Sequence, residues 1–388
     1  MAVKILSVDD EQDLEILLTQ YFRRKIRNKE YEFVFAHNGI EALELILSQK
    51  DFDIVLSDIN MPEMDGLTLL TRVNELRNPA LKCIMVSAYG DMQNIRTAMN
   101  NGAFDFATKP IDMDDLSVTI EKAIEQINYV KQSQREHNQL ESIKSELAAA
   151  QEIQQAILPR KFPPFPDLEG KLDIYAFMHP AKDVGGDFYD FFRVDAERIG
   201  FVMADVSGKG LPAALFMAVS RTLVHSIGMT GCSTCECLER TNRMLSTEND
   251  KMMFVTLFYG ILNVNTGDIC YTNAGHNPPY LLHKDGSLET LPKSPNLVVG
   301  VMDDKRFQSE TMRLERGDSL ILFTDGVTEA TNNSDQLFGT ERLEKALKKA
   351  GRGNSHQTID YIIHDLEAFV DHAPQSDDIT LLSISLVE

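Results

Sequence analysis

The sequence predicts a multidomain protein with three parts: a doubly wound α/β domain with a five-stranded parallel sheet, a connecting coiled-coil helix, and an α+β domain with antiparallel sheets flanked by helices. Three observations carry this prediction. The N-terminal third alternates short apolar runs with helical patterns, a long helical pattern without Gly or Pro follows, and the remainder is rich in apolar runs separated by tight turns. A chain of 388 residues is also too long for one ordinary hydrophobic core.

Five apolar runs in the first part are predicted to be buried strands: 3–8, 32–36, 52–57, 82–87 and 104–108. A doubly wound parallel sheet gathers the carboxyl ends of its strands along one edge. Asp9 and Asp10 follow the first run, and Asp58, Ser87 and Lys109 stand at the ends of the third, fourth and fifth. We therefore expect three carboxylates, a hydroxyl and an ammonium group to meet in one cleft.

The chemistry of this set favours a magnesium site that holds a phosphoryl group. Three carboxylates close together raise one another's pKa unless a cation neutralises them. Mg²⁺ prefers oxygen ligands and combines a few carboxylates with phosphate oxygens, and Lys109 is able to hold a phosphoryl oxygen that the metal leaves uncovered. Taken alone, Asp9 and Asp10 are better explained as helix caps. The ordered set of strand ends is what favours the metal site.

Residues 1–122, through these positions, resemble the receiver domain of bacterial two-component response regulators. The resemblance implies that Asp58 is the phosphoacceptor, a carboxylate nucleophile that attacks phosphorus, and that a histidine kinase or a small phosphodonor is a partner. It also implies further roles: Mg²⁺ ligands at Asp9, Asp10, Asp58 and the Asn60 carbonyl, phosphoryl contacts at Ser87 and Lys109, and a switch aromatic at Phe106, where many receivers have Tyr.

Residues 123–158 are predicted to be a helical linker, within a helical pattern that runs from Asp114 to about Leu158 and ends at Pro159. Two apolar sets recur at helical spacing, the second one residue out of phase with the first: Leu116, Ile120, Ala123, Ile127 and Val130, then Ile143, Leu147, Ala150, Gln154 and Ile157. The pattern predicts a short coiled coil with a register slip, and hence a homodimer. The alternative is a solvated spacer helix, because the segment between the two sets is polar.

Residues 159–388 are predicted to form the α+β domain. Tight turns with the sequences NTGD and KDGS indicate antiparallel hairpins. Helical patterns cover 211–227, 340–350 and 355–371. The apolar runs predicted to be strands are 198–206, 252–264, 267–274, 278–284, 318–325 and 379–387.

Four acidic loops punctuate this half of the chain, and their aspartates are Asp187, Asp205, Asp325, Asp377 and Asp378. The half has no G-x-S-x-G nucleophile motif and no P-loop. Carboxylates without imidazole or thiolate favour Mg²⁺ or Mn²⁺ over zinc, and two such ions about 3.5–4 Å apart share a water, lower its pKa and direct it at phosphorus. Asp205, which ends the apolar run FVMAD before a Gly-rich bend, is placed to bridge two ions. For that stretch alone, a plain turn is the alternative.

These residues, with NAGHNPPY (273–280) and AAQEIQQAILP (149–159), resemble the PPM family of metal-dependent serine/threonine protein phosphatases, in its bacterial SpoIIE/RsbU-like branch. The resemblance implies that Asp205 bridges two Mn²⁺ or Mg²⁺ ions beside the Val206 carbonyl. It implies further catalytic metal ligands at Asp187, Asp325 and Asp377, and Asp378 stands where other branches have Asn. The implied substrate is a phosphorylated protein, an anti-sigma-factor antagonist.

Composition and charge limit the partners. The hydrophobic share of 43% and the charged share of 25% are typical of a globular chain, and no apolar run reaches the roughly 18 to 20 residues that cross a bilayer. The start, MAVKILSVDD, lacks the features of a signal peptide, so we expect a cytoplasmic protein. A net charge of −21 disfavours nonspecific binding to nucleic acid or to an anionic membrane.

Two groups of residues leave alternatives open. Cys232, Cys235 and Cys237 hint at a soft-metal site, but no second Cys/His cluster completes it, so buried thiols near a helix start are favoured. His276 invites a general-acid role, but its neighbours Asn and Pro-Pro favour a loop-shaping hydrogen bond.

The leading hypothesis is a protein phosphatase controlled by phosphorylation of the receiver, with the linker helix passing the change to the enzyme within a dimer. The sequence does not determine whether phosphorylation activates or inhibits. One alternative is a pseudophosphatase that sequesters a partner, which the intact acidic loops disfavour. The other is a two-metal nuclease or phosphodiesterase, which the net negative charge disfavours.

Overall fold

The structure is a computed structural model that describes residues 2–49, 51–88, 90–247, 249–351 and 353–387. It divides into two compact units, Met1–Ile143 and Lys144–Glu388. The boundary between these units falls inside one long helix, so the predicted domain limits at residues 122 and 158 stay predictions.

The first unit is built on a parallel sheet whose strands are β1 (Val3–Val8), β2 (Tyr31–Ala36), β3 (Ile54–Asp58), β4 (Lys82–Ala88) and β5 (Asp105–Lys109). The connecting helices are α1 (Gln12–Tyr21), α2 (Arg23–Arg27), α3 (Gly39–Gln49), α4 (Gly66–Glu75) and α5 (Met92–Asn100). The strand order is β2-β1-β3-β4-β5, with every pair parallel. The predicted doubly wound fold is confirmed.

Hydrophobic cores lie on both faces of this sheet. Successive side chains of a strand point to opposite faces, so Val55 of β3 packs in one core with Leu69 of α4, and its neighbour Leu56 packs in the other core with Leu18 of α1 and Ile120. Because both faces are covered, the strands are continuous apolar runs rather than alternating ones.

A single helix of 45 residues, α6 (Met113–Ile157), follows the sheet. The first predicted apolar set lies on its buried side in the first unit, where Leu116, Ile120, Ala123 and Ile127 contribute to the core. In the second set, Ile143 is 53% exposed whereas Gln154 is buried. The predicted long helix is confirmed, and pairing with a second copy stays a prediction.

The described residues of the second unit form ten strands: β6 (Leu172–His179), β7 (Phe188–Arg193), β8 (Arg198–Val206), β9 (Val255–Asn263), β10 (Asp268–Ala274), β11 (Tyr280–Leu282), β12 (Leu288–Thr290), β13 (Glu310–Arg313), β14 (Ser319–Phe323) and β15 (Ile379–Leu386). They form two antiparallel sheets, ordered β13-β10-β9-β8-β7 and β12-β11-β14-β15-β6. The helices are α7 (Leu211–Gly228), α8 (Thr234–Ser246), α9 (Asp325–Thr328), α10 (Gly339–Ala350) and α11 (Ser355–Val370), with a 3₁₀ turn at Pro166–Leu168. The predicted α+β architecture is confirmed.

The two sheets share a core, and helices pack against each of them. Leu322 of β14 lies in the same core as Phe201 of β8, whereas its neighbour Phe323 packs with Leu343 of α10 and Ile359 of α11. The alternation along β14 therefore separates the core between the sheets from the core under the helices. Helices α7 and α8 pack against the other sheet.

The sequence predicted a helix start near the clustered cysteines but not the extent of α8, and the core positions of the helix explain why. The buried residues on its inner face include Cys237, Thr241 and Asn242, which do not register as an apolar helical repeat. Ser233 caps its N-terminus by accepting a hydrogen bond from the Glu236 backbone N–H. Strands β6, β7, β12 and β13 were also not predicted.

In the described part of the chain, α7 is a helix whose length and composition would allow it to cross a bilayer. Ala213, Met217 and Val224 bury one of its faces in the core of the second unit. Because the core helix of a globular domain passes the same test, α7 alone is weak grounds for expecting a membrane span.

Candidate phosphoacceptor site and candidate metal centre

The carboxyl edge of the parallel sheet gathers three acids, Asp9, Asp10 and Asp58, which we call the receiver cluster. Among the described residues, these form the group of three acidic side chains whose ligand atoms all lie within 4.8 Å of one another. Asp58 is the last residue of β3, and the other two follow β1, so the topology brings them together. Asp9 and Asp58 are buried and Asp10 is exposed, an all-oxygen set open to solvent on one side that suits Mg²⁺.

Lys109, the last residue of β5, reaches into the receiver cluster. Its Nζ lies 2.6 Å from Oδ2 of Asp58 and 3.0 Å from Oδ2 of Asp9. Burial acts to lower the pKa of Lys109, but the hydrogen bonds to Asp58 and Asp9 outweigh it, so the pKa is raised. Burial also raises the pKa of Asp9, since an ionised carboxylate is poorly solvated there.

The remaining predicted receiver residues lie around the same edge. Ser87 is fully buried near the end of β4, and its hydroxyl has no hydrogen-bond partner among the described residues. The backbone N–H of Asn60 donates to Oδ1 of Asp58 at 3.3 Å. Phe106 lies half-buried in β5, opposite Met85. The roles implied for these three residues stay predictions.

In the second unit, five aspartates from four loops converge, and we call them the acidic centre: Asp187, Asp205, Asp325, Asp377 and Asp378. Asp187 precedes β7 and Asp205 lies near the end of β8, both in one sheet, whereas Asp325 follows β14 and Asp377 precedes β15 in the other. The centre therefore lies where loops of the two sheets meet.

The carboxylates of the acidic centre are close enough to perturb one another. Burial and the negative charges of Asp325 and Asp377 raise the pKa of Asp205 to about 7. Burial and the charges of Asp205 and Asp378 raise the pKa of Asp187 well above its usual value. The pKa of Asp325 is raised as well, first by burial and then by neighbouring carboxylates. Such mutual repulsion is relieved by a bound cation.

Two buried threonines hold Asp187. Thr324 and Thr380 donate their hydroxyl hydrogens to Oδ2 of Asp187 at 2.7 and 2.6 Å. Both bonds favour the ionised carboxylate and partly offset its burial. The two hydroxyls therefore fix the orientation of the Asp187 carboxylate within the acidic centre.

Asp378 and Asp377 differ in their surroundings. Asp378 accepts hydrogen bonds from the backbone N–H groups of Ala181 at 2.8 Å and Gly186 at 2.6 Å, so its carboxylate ties together the loops of the centre. Asp377 is more exposed, and its Oδ2 lies 2.8 Å from Nζ of Lys209. A cation of the chain itself is therefore paired with the outermost acid of the centre.

The donor set fits hard divalent cations. All its side-chain ligands are carboxylate oxygens, which suit Mg²⁺ or Mn²⁺. The Val206 carbonyl is open to the same region because residue 186 is Gly: a Cβ there would lie 3.0 Å from the Val206 oxygen. The predicted ligand roles of Asp187, Asp205, Val206, Asp325, Asp377 and Asp378 stay predictions, and the structure brings these residues together.

Sequence reasoning missed three residues that contact the acidic centre: Lys209, Thr324 and Thr380. Each lies within four residues of a predicted aspartate, in the segments DVSGK, FTD and DDIT. That closeness was the available signal. It was too weak to use, because the direction of a side chain near a strand end depends on the pairing register.

The structure shows the surroundings of His276 and of the clustered cysteines, whose roles the sequence left open. His276 is buried, its Nδ1 lies 3.0 Å from Oγ1 of Thr256, its backbone N–H donates to Asn273, and burial lowers its pKa to about 4. Of the clustered cysteines, Cys237 lies in the core at the start of α8. Among the described residues, the receiver cluster has ligand atoms that all lie within 4.8 Å of one another, and neither the clustered cysteines nor the acidic centre meets that criterion.

Comparison with known proteins agrees with this geometry. The family model of the response regulator receiver domain matches residues 5–121, and that of stage II sporulation protein E (SpoIIE) matches residues 195–387. Phosphoserine phosphatase RsbU of Bacillus subtilis (strain 168) is 34% identical over 243 residues, which cover 62% of this chain and 70% of RsbU. The SiaA-PP2C domain of Pseudomonas aeruginosa shares the fold, with a TM-score of 0.55 and 23% identity over 63% of this chain and 98% of that domain.

The chain belongs to the SpoIIE family of PP2C-type serine/threonine protein phosphatases, and its N-terminal part is a response regulator receiver domain. Both resemblances and the enzyme class predicted from the sequence are confirmed. Protein IcfG of Synechocystis sp. (strain ATCC 27184 / PCC 6803 / Kazusa) is 33% identical over 266 residues, 62% of this chain, but the chain spans only 41% of IcfG.

Proposed function

We propose that this protein is a metal-dependent phosphatase for phosphoserine and phosphothreonine in a protein substrate, and that phosphorylation of Asp58 controls its rate. The observation that carries the proposal is the convergence of five aspartates from both sheets, with the pKa of Asp205 raised to about 7 by burial and its acidic neighbours. The similarity to the phosphoserine phosphatase RsbU supports the same substrate chemistry.

The residues in and around the acidic centre have separate roles in binding the cations and the substrate phosphate. When bound, a pair of Mn²⁺ or Mg²⁺ ions supplies an activated water and neutralises charge on the phosphate. Asp205 interacts with all four other aspartates of the centre, so its carboxylate would bind the cations from a central position. Thr324 and Thr380 orient Asp187, since both donate to its Oδ2. The ammonium group of Lys209 lies at the rim beside Asp377, where it attracts an approaching phosphate dianion.

The receiver supplies the control. A histidine kinase or a small phosphodonor transfers its phosphoryl group to Asp58, with Mg²⁺ in the receiver cluster. Lys109 contacts the phosphoryl group from its position beside Asp58. The helix α6 links the two units without a break, and two copies pair through it in a homodimer. The substrate is an anti-sigma-factor antagonist, and the site of action is the cytoplasm.

The direct test measures phosphate release from a phosphoserine protein in Mn²⁺. We expect turnover by the wild-type chain and a loss of more than about 100-fold in Asp205→Ala, since losing a ligand costs more than losing a partner that only orients one. Asp250→Ala, at an exposed position, is the matched control and keeps the wild-type rate. Equal rates for the two variants would contradict the proposal.

The same assay separates the alternatives. A pseudophosphatase binds the phosphoprotein in Mn²⁺ without releasing phosphate. A two-metal phosphodiesterase hydrolyses bis(4-nitrophenyl) phosphate faster than it hydrolyses the phosphoserine protein. For the control step, wild type and Asp58→Ala are each compared with and without beryllofluoride. Four equal rates would rule out regulation by the receiver.

A further inference from the structure

Gln154, near the C-terminal end of α6, makes a paired hydrogen bond to one backbone residue of an acidic loop. Its side chain is 6% exposed, whereas the adjacent Ile153 is 66% exposed. Nε2 of Gln154 donates to the Gly185 carbonyl at 2.7 Å, and Oε1 accepts from the Gly185 N–H at 3.0 Å. A buried polar side chain thus stands in an otherwise apolar repeat, with both its donor and its acceptor bound to the same residue.

Gly185 packs directly against the acidic centre. A Cβ added at Gly185 would lie 2.4 Å from Oδ2 of Asp378, so this residue has to be Gly and its backbone contacts the carboxylate. The next residue, Gly186, donates its N–H to the same oxygen, and Asp187 follows it. The end of α6 is therefore hydrogen-bonded to a residue that contacts Asp378 and lies two positions before Asp187.

We propose that Gln154 is a positioning residue that fixes the loop of residues 184–187, and through it Asp187 and Asp378, in the arrangement that binds divalent cations. A glutamine fits this role because it matches both the N–H and the C=O of Gly185, and no apolar side chain matches either. Partners that orient metal ligands without touching the metal typically change its affinity by about 10- to 100-fold. The effect on catalysis rests on the proposed function, whereas the effect on cation binding does not.

The test compares Gln154→Met with Gln155→Met in the full chain. Met preserves length and removes both hydrogen-bonding groups, and Gln155 is the neighbouring glutamine of the same helix, bonded to Arg160. All chains also carry Asp9→Asn and Asp58→Asn, which remove Mn²⁺ binding by the receiver cluster. Isothermal titration with Mn²⁺ then reports the acidic centre. We expect affinity to fall at least about tenfold in Gln154→Met and to be unchanged in Gln155→Met.

Two further measurements separate positioning from a general loss of structure. Gln154→Glu keeps the acceptor for the Gly185 N–H and loses the donor, so its Mn²⁺ affinity should lie between wild type and Gln154→Met. At saturating Mn²⁺, kcat for phosphate release by Gln154→Met should recover toward the wild-type value, because bound cations hold the acids in place.

The outcomes are distinguishable. Equal Mn²⁺ affinity in wild type, Gln154→Met and Gln154→Glu overturns the inference, whatever happens to the melting temperature. Should Gln154→Met fail to fold, the affinity of Gln154→Glu relative to Gln155→Met decides in the same way. Weakened Mn²⁺ binding by Gln154→Met supports the role of Gln154 even if the chain that keeps Asp9 and Asp58 releases no phosphate with or without beryllofluoride, and that second result contradicts the phosphatase proposal alone.

Discussion

The ammonium nitrogen of Lys109 lies between the carboxylates of Asp58 and Asp9, 2.6 Å from the first and 3.0 Å from the second. Lys109 and Asp58 end β5 and β3, and Asp9 follows β1, so the three side chains meet because the carboxyl ends of these parallel strands share one edge of the sheet. The cation neutralises part of the charge that the buried acids create. The same ammonium group is in reach of a phosphoryl group on Asp58.

Replacing Lys109 should slow phosphorylation of Asp58. In Lys109→Met the developing negative charge on the transferred phosphoryl group loses a charged hydrogen-bond donor, which is expected to cost about 10- to 100-fold in rate. The measurement is the rate of Asp58 phosphorylation by acetyl phosphate in Mg²⁺. Lys25→Met is the control, since Lys25 pairs with Glu121 away from the receiver cluster. Equal rates for the two variants would remove Lys109 from the site.

The acidic centre should make the metal-free chain less stable as pH rises. Burial and acidic neighbours raise the pKa of Asp205 to about 7, above its ordinary unfolded value of about 3.8, so between these values the folded state binds more protons. The stability that this group contributes is therefore fully present below about pH 4 and is lost as pH rises through about 7.

Melting temperatures measured in EDTA between pH 5 and pH 8 check this sign. Relative to Asp205→Asn, which has no charge to repel, wild type should lose several degrees over this range. Mn²⁺ binds the ionised carboxylates, so it should restore more stability at pH 8 than at pH 5. A wild-type chain whose stability rises with pH relative to Asp205→Asn would contradict the assignment.

The sequence predicted the first unit almost completely, because local pattern and topology agree there. Buried parallel strands appear as continuous apolar runs, and β1 spans the residues predicted for it. Since the carboxyl ends of such strands share one edge, Asp58 and Lys109 could be placed together without knowledge of any side-chain contact. The motif and the topology point to the same cleft.

The second unit was harder to predict because its site depends on how two sheets face each other. The aspartates at positions 205 and 325 follow apolar strands and were found, whereas Thr324 and Thr380 contact Asp187 only because β14 and β15 pair in one particular register. No short pattern encodes that register. The same holds for Gln154, which the repeat placed among apolar residues and the structure places on an acidic loop.

His276 should contribute to stability rather than to proton transfer. It is buried, its pKa is lowered to about 4 by burial, and its Nδ1 lies 3.0 Å from Thr256, so it is neutral at the working pH. We expect His276→Ala to lower the melting temperature by several degrees, since it leaves a cavity and removes one hydrogen-bond partner of the Thr256 hydroxyl, and to keep kcat within about fivefold. A loss of kcat of more than about 100-fold at unchanged melting temperature would instead indicate a general acid.

Removing the Thr380 hydroxyl, which donates a hydrogen bond to Asp187, should weaken cation binding by the acidic centre. In Thr380→Val the Oδ2 of Asp187 loses a donor at 2.6 Å, and because that bond lowers the pKa of Asp187, its loss raises the pKa further. The protonated form competes with the cation. The Mn²⁺ concentration for half-maximal phosphate release at pH 7 should therefore rise about tenfold, and the difference from wild type should shrink as pH increases.

Thr272→Val is the matched control for this variant. Thr272 is also fully buried in a strand of the second unit, and its hydroxyl donates to Oγ1 of Thr234 at 2.8 Å, away from the acidic centre. Both variants lose one buried hydrogen bond, so their melting temperatures should fall by similar amounts. Only Thr380→Val should change the Mn²⁺ requirement. If the two variants need the same Mn²⁺ concentration, Thr380 stabilises the fold and does not prepare Asp187 for a cation.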